Sequence, residues 1–241
     1  MTDQREQIPF DVLFVGGGPA NLSGAIQLMT LANEKGLALE VALIDKGAEI
    51  GSHAVSGAIL NPRALEELVP DYEDQGFPVE ATVRGDAFVF LTKGKSFHMP
   101  IIPRYIHNDG FHVVSLSRLT RWLAEKAEAK GVNIFPGFAG VDVLYDEKGS
   151  TVIGVRTGDK GLDVDGSRKR TFEAGIDLMA RVTVFGEGAR GSLVADLEKQ
   201  LGLSSNSIPQ AYETGIKEVI QLPENSFFDK KAFNCIHVLG Y

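Results

Sequence analysis

The sequence predicts an α/β fold: a parallel sheet wound with helices and extended by an antiparallel meander, together with a second domain of α+β type. Three observations carry that expectation. Phe10 to Ala25 is an apolar run that breaks into glycines and then resumes with a helical period. Arg181 to Leu201 repeats the pattern of strand, glycine turn and helix. Between them, Asp71 to Gly110 is interrupted by Pro78, Pro100 and Pro103 and carries alternating stretches such as Ala87 to Leu91, which suit strands of a separate antiparallel sheet.

Composition narrows the function classes. With 241 residues, 44% hydrophobic and 23% charged, the chain can bury a substantial core, and no run approaches the roughly 18 apolar residues of a membrane span. A formal net charge of −8 argues against nucleic acid, because binding a phosphate backbone needs clustered lysine and arginine. Cys235 is the only cysteine, so the chain alone can form neither an internal disulfide nor a four-thiolate metal or iron–sulfur site. His53, His98, His107, His112 and His237 show no ligand spacing, and no metal site or hydrolytic triad is expected. The N-terminus lacks an apolar signal core and an arginine-rich transit character, which makes the cytoplasm the default address.

The opening element reads as strand, tight turn and helix. Gly16 lets the chain turn off the strand, Gly18 lets backbone approach a ligand, and Pro19 and Ala20 begin a helix whose free amides suit a pyrophosphate. This is the Rossmann-like dinucleotide arrangement, with Asn21 where a third glycine usually allows close helix–strand packing. Gly24 and Ala25 keep the next turn small. Leu22, Ile26, Met29 and Ala32 continue the helix and Gly36 stops it. Leu39 to Ile44 is a second strand ending in Asp45, a carboxylate placed to accept hydrogen bonds from ribose hydroxyls.

Glu49 to Ala58 is polar and small, backbone laid along something rather than a strand. Asn61 and Pro62 cap a short helix that Pro70 ends. In the excursion that follows, Phe97 to Ile106 is apolar without period, suited either to the core of a cap sheet or to an exposed loop that meets lipid or a quinone. Val113 to Leu116 brings the chain back, and a helix with Leu119, Leu123 and Ala127 on one face ends at Gly131, with Trp122 as packing. With Ser117 as N-cap, Arg118 lies in the first turn, able to reach a phosphate or to stand exposed.

Val132 to Phe135 is another strand. Val141 to Tyr145 and Val152 to Arg156 form a hairpin around Asp146 to Ser150, and Arg170 to Leu178 completes a meander, with Asp159 to Arg168 as an insertion loop. Glu187 and Gly188 then sit at a parallel strand end, beside the crevice. After Gly202 the chain is extended again through Ile216 to Leu222 and Phe233 to Leu239. The expected division is residues 8–70 and 113–202 as one domain, and 71–112 and 203–241 as the second.

Taken in order, these motifs resemble the flavin-binding half of electron-transfer flavoprotein:ubiquinone oxidoreductases and, more broadly, the glutathione-reductase-type FAD fold. The carriers are Gly51-Ser-His-Ala-Val-Ser-Gly-Ala58, Phe135-Pro-Gly-Phe-Ala139, Phe185-Gly-Glu-Gly-Ala-Arg-Gly-Ser-Leu193, Gln210-Ala-Tyr212 and Gly215-Ile-Lys-Glu218. The resemblance implies FAD, with Gly16, Gly18, Pro19 and Ala20 at the pyrophosphate and Asp45 with Lys46 at the adenosine ribose. It further implies Gly51, His53, Ser56 and Gly57 on the flavin side, and Arg118, Ala139, Glu187 and Gly188 around the cofactor. It implies electron-transfer flavoprotein and ubiquinone as partners, peripheral contact with the inner face of the cell membrane near Ile101, and a 4Fe–4S cluster in full-length relatives that this chain alone cannot build. The relatives are longer, so the chain reads as a truncated form whose second domain is incomplete. An FAD-dependent hydroxylase or isoprenoid reductase of the same fold, and a non-catalytic dinucleotide-binding module, remain alternatives.

Overall fold

A computed structural model describes residues 5–55, 57–226, 231 and 233–240. The chain starts with β1 (Gln7–Val15), α1 (Pro19–Glu34), β2 (Val41–Asp45), β3 (Ala58–Leu60) and α2 (Arg63–Leu68). It continues through β4 (Val79–Thr82), β5 (Asp86–Thr92), β6 (Lys95–His98), β7 (His112–Val114), α3 (Leu116–Ala129) and β8 (Asn133–Pro136). The remainder is β9 (Gly140–Tyr145), β10 (Val152–Thr157), β11 (Lys160–Leu162), β12 (Arg168–Glu173), β13 (Asp177–Phe185), α4 (Ser192–Leu201) and β14 (Cys235–Gly240). These form two compact units, residues 1–54 with 120–213 and residues 55–119 with 214–241.

The first unit is a six-stranded sheet in the order β8-β2-β1-β13-β10-β9. β8, β2, β1 and β13 run parallel, whereas β10 and β9 turn back antiparallel. Side chains alternate across a strand, so the register pairs Leu13 with Ala42 and Val15 with Ile44 on one face. That face gathers Val155, Leu178, Ala180 and Leu193 into a buried core, where each fully covered leucine or isoleucine contributes about 1.5–3 kcal/mol. Phe14, between Leu13 and Val15, points to the other face, where a Cβ on Gly24 of α1 would meet its ring at 3.4 Å. The close helix–strand contact expected of a third loop glycine is therefore made one turn later. Leu22, Ala25, Ile26, Met29 and Ala32 bury the same side of α1, at the spacing read from the sequence.

In the second unit, β3 and β4 pair antiparallel on either side of β7, and a second three-stranded sheet has the order β14-β5-β6. Tyr72, Phe77 and His112 pack edge to face beneath the first of these, with Tyr72 Oη 2.9 Å from His112 Nε2.

Several element-level expectations are corrected. Arg170 to Leu178 is not one strand: β12 ends at Glu173 and pairs with β11 as a separate ribbon, and β13, starting at Asp177, is the third strand of the meander and also the parallel partner of β1. The supposed loop 159–168 thus contains β11. β5 belongs to a mixed sheet, antiparallel to β6 and parallel to β14. The strand at Val113 pairs with β3 and β4 rather than with the parallel sheet, which the chain regains only through α3. α3 begins at Leu116, and the Leu119 amide donates to Ser115 O, so Ser117 is inside the first turn and does not cap it. Ile216 to Leu222, expected as extended chain, joins no strand among the described residues, and Ile216, Val219 and Ile220 are exposed.

Candidate functional site

Because β8, β2, β1 and β13 are parallel and adjacent, their carboxyl ends line one edge of the sheet, and the turns that follow them meet there. In open α/β sheets this edge is where ligands bind, at the point where the chain winds to opposite sides. Here that point lies between β1, whose chain continues through α1 to β2, and β13 on its other side.

The turn after β1 is built from close backbone approaches. Gly16 has φ 102°, and a Cβ there would lie 2.5 Å from Gly186 O, so only glycine satisfies both the turn and the contact with the turn after β13. The Gly16 amide donates to Ile44 O at 2.8 Å and the Gly186 amide to Val15 O at 2.9 Å, which ties three strand ends together. Asn21, 4% exposed, sits behind this junction. Its Nδ2 donates to Val15 O and Gly16 O, each at 2.9 Å, and its carboxamide fills the space that a side chain on Gly186 would need. Asn21, where a third glycine is usual, is thus a fully engaged part of the turn.

Asp45, at the end of β2, accepts from the Gly17 amide through Oδ2 and from the Gly47 amide through Oδ1, both at 2.7 Å. A carboxylate has about four acceptor positions, so two bonds to loop amides leave capacity for ribose hydroxyls. The Phe138 amide donates to Asp45 O at 2.9 Å and the Gly137 amide to Gly47 O at 2.7 Å, bringing the turn before Ala139 alongside. Gly17 is packed closed, since a Cβ would lie 2.7 Å from Ile50 Cδ1. Gly18 differs: nothing lies within 4 Å of where its Cβ would be. It caps α1 in extended conformation, with no side-chain cap, no acidic residue in the first turn and Pro19 immediately after it. The α1 terminus and its helix dipole are therefore offered to the space in front of Gly18 without competition from an acidic side chain in the first turn.

The turn after β13 is organised otherwise. Glu187 Oε2 accepts from the Val194 amide at 2.9 Å, and Ser192 Oγ lies 3.4 Å from Oε1, so Glu187 caps the N-terminus of α4. Its carboxylate is turned to α4, while its Cα lies 3.4 Å from the position of a Cβ on Gly16. Gly188 follows with φ 81° and open space around it.

The first unit therefore brings together Gly16, Gly18, Pro19, Ala20, Asp45, Ala139, Glu187 and Gly188 along one sheet edge. Lys46 is exposed beside Asp45, and Gly51 and His53 follow in the turn stretch 47–53, with His53 exposed. Gly57 and Arg118 belong to the second unit, where Arg118 Nη1 donates to Glu80 at 2.5 Å. Ser56 lies outside the described residues. Sequence reasoning missed Gly17, Gly47 and Gly186, whose roles depend on contacts far along the chain. It also missed the convergence of Asp86, Cys235 and His237 in the second unit, signalled only by the Cys-x-His spacing that puts both side chains on one face of a strand. In the same unit Met99, Ile101 and Tyr105 stand exposed, the latter two at 77% and 87%, so this apolar stretch is a surface rather than a core.

The geometry fits a dinucleotide: an uncapped helix N-terminus after a glycine turn, with an acidic strand end one strand away. No family model matches the chain. Over 98% of its length it is 42% identical to the mitochondrial electron transfer flavoprotein-ubiquinone oxidoreductase of Dictyostelium discoideum, covering 38% of that protein. It is 44% identical over 96% of its length to that of Mus musculus, covering 37%, and 43% identical over 92% to a probable one of Acinetobacter baylyi, covering 40%. The chain thus spans about two fifths of the length of the curated relatives it matches. Among solved structures, a flavin-dependent monooxygenase in complex with FAD and substrate matches with TM-score 0.53 and 20% identity, covering 81% of this chain and 32% of that one. A geranylgeranyl bacteriochlorophyll reductase-like protein of Thermoplasma acidophilum matches with TM-score 0.52 and 18% identity, covering 76% and 40%. The fold is that of the FAD-binding, Rossmann-like flavoenzymes.

Proposed function

As a homologue, over nearly its whole length, of a part of the electron transfer flavoprotein-ubiquinone oxidoreductases, this chain is, we propose, the FAD-binding portion of an oxidoreductase that passes electrons from electron transfer flavoprotein to ubiquinone. The observation that carries the reading is the pairing of two features at adjacent strand ends. Open space lies in front of Gly18 at a helix terminus without a side-chain cap, and the Asp45 carboxylate is locked in orientation by Gly17 and Gly47. Gly16 to Ala20 would hold the pyrophosphate, and the free acceptor positions of Asp45 the adenosine ribose. The same carboxylate disfavours an additional phosphate on that ribose. Bound FAD supplies the redox chemistry, and the chain positions it.

The protein's own groups do three things here. Asn21 and Gly186 hold the two glycine turns in contact, Asp45 fixes the backbone of the first turn, and Glu187 keeps its charge on α4. Electron transfer to a quinone rests on the relatives, of which this chain spans two fifths. The exposed Met99, Ile101 and Tyr105 support an apolar encounter surface for a quinone or membrane in the second unit. No helix among the described residues is long and apolar enough to cross a membrane.

The test is the absorption spectrum of the purified chain before and after added FAD, followed by reduction. Flavin absorbance that co-purifies or becomes protein-bound, with reduction by reduced electron transfer flavoprotein in preference to NAD(P)H, supports the reading. A colourless protein that leaves added FAD free sinks it. Flavin reduced by NAD(P)H with oxygen-dependent turnover points to a hydroxylase instead.

A further inference from the structure

Asp86, Cys235 and His237 form a second constellation, in the unit that does not carry the glycine turns. β14 runs parallel to β5 with Cys235 opposite Asp86, and Cys235 and His237, two residues apart, share one face of β14. Topology thus delivers a thiol, an imidazole and a carboxylate to one point from two neighbouring strands. His237 Nε2 lies 2.8 Å from Asp86 Oδ1 and 3.7 Å from Cys235 Sγ, and the three ligand atoms all lie within 4.8 Å of one another.

The arrangement is not that of a cysteine nucleophile. In a catalytic triad the imidazole uses one ring nitrogen for the nucleophile and the other for the carboxylate; here both partners address the same Nε2. Burial, and then Asp86, push the Cys235 thiol up to about 11, which leaves it protonated and unreactive at neutral pH. Three donors converging on one point instead suit a single cation. Tetrahedral zinc with its usual bond lengths to sulfur, nitrogen and oxygen has ligand–ligand edges of about 3.3–3.6 Å. The 3.7 Å between His237 Nε2 and Cys235 Sγ is close to such an edge, whereas the 2.8 Å between His237 Nε2 and Asp86 Oδ1 must open by about 0.5 Å to admit the ion. A divalent cation also replaces the thiol proton, turning the repulsion from Asp86 into a shared attraction.

Asn108 supplies the support that metal sites use to orient a ligand. Its backbone amide donates to Asp86 Oδ2 at 2.7 Å and its Nδ2 to Asp86 Oδ1 at 3.0 Å, while the same Nδ2 is held by Ile106 O at 3.0 Å. The Asp86 side chain is 1% exposed and that of His237 24% exposed, so the site is anchored on its inner side and reachable from outside. Asn108 Nδ2 also lies 3.3 Å from His237 Nε2 and 3.8 Å from Cys235 Sγ, so its carboxamide stands at the fourth corner of the cluster.

We propose that Asp86, Cys235 and His237 form a zinc-binding site. All three residues lie in the second unit, apart from the glycine turns.

The experiment uses the full chain, stripped of metal by chelator and free of FAD, titrated with Zn²⁺ against a chromophoric competitor and, separately, with Co²⁺. The expected result is one equivalent of zinc bound, and a cobalt adduct with a thiolate charge-transfer band and the intense visible bands of a tetrahedral centre. Cys235→Ser removes the charge-transfer band, and Cys235→Ser and His237→Gln each weaken zinc binding at least tenfold. The wild-type cobalt spectrum does not depend on the variants folding. Absence of the thiolate band in the wild type, or zinc affinity unchanged in both variants, overturns the proposal.

Discussion

The carboxamide of Asn21 and the missing side chain of Gly186 are complementary: one fills the volume the other leaves empty, although 165 positions separate them in the chain. Nδ2 of Asn21 bonds Val15 O and Gly16 O from behind, while the Gly186 amide bonds Val15 O from the side. Asn21→Gly, which restores the commoner glycine pattern, is therefore expected to destabilise the chain by about 1–3 kcal/mol, the cost of leaving buried acceptors underbonded. FAD binding should weaken with it. Chemical denaturation and flavin titration of the variant check this, and a variant that is more stable and binds FAD more tightly would contradict it.

Gly18 allows binding to be separated from folding. Its backbone is extended, φ −80°, and nothing lies within 4 Å of a Cβ there, so Gly18→Ala should cost no more than about 1 kcal/mol, the helix-capping difference. The added methyl stands in the space assigned to the pyrophosphate. Flavin affinity should fall at least tenfold while the melting curve moves little; unchanged affinity would remove the phosphate from this position.

Asp45→Ala takes a charged acceptor from the Gly17 and Gly47 amides together. A hydrogen bond to a charged group is worth about 1.5–3 kcal/mol. Lower thermal stability is expected even without cofactor, together with a loss of FAD affinity of about ten- to a hundredfold. Calorimetry with and without FAD distinguishes the two effects.

Glu187→Ala should unfasten α4, because the Val194 amide loses its acceptor. Capping losses run at about 0.5–2 kcal/mol. The loss should appear as faster amide exchange in the first turn of α4. Slow exchange retained in the variant would show that another group caps the helix.

Arg5 and Asp159 give a pH-dependent contribution. Arg5 Nη1 lies 2.5 Å from Asp159 Oδ1, which also accepts from the Gly175 amide at 2.8 Å, and these bonds hold the Asp159 carboxyl below its ordinary range. A carboxyl depressed in the folded state stabilises fully above its unfolded value of about 3.9, and the contribution is lost as pH falls through the lower folded value. Asp159→Asn should thus be less stable than wild type at pH 6, with the difference shrinking steadily towards pH 3. Urea denaturation across that interval tests the sign.

What the sequence disclosed and what it hid follow from the range of the interactions involved. The α1 period, the glycine turn and Asp45 at a strand end are local patterns, and each is present where the spacing put it. The dual use of β13, as third strand of the meander and as partner of β1, is a pairing between distant segments, and β propensity near Arg170 to Leu178 could not locate the break at Gly175. Ile216 to Leu222 is apolar yet joins no strand among the described residues, and composition carries no information on neighbours. Asn21 was misleading for the same reason: its partners include Gly186, so the first motif could not be judged without the second.

The two βα turns at the centre of the sheet begin from one design and end with opposite electrical character. Glu187 closes the α4 terminus with an internal carboxylate, whereas the α1 terminus carries no side-chain cap. An elongated ligand with phosphates at its middle meets attraction at one turn and a charge already neutralised at the next. That asymmetry would favour seating the phosphates at the α1 turn rather than at the α4 turn.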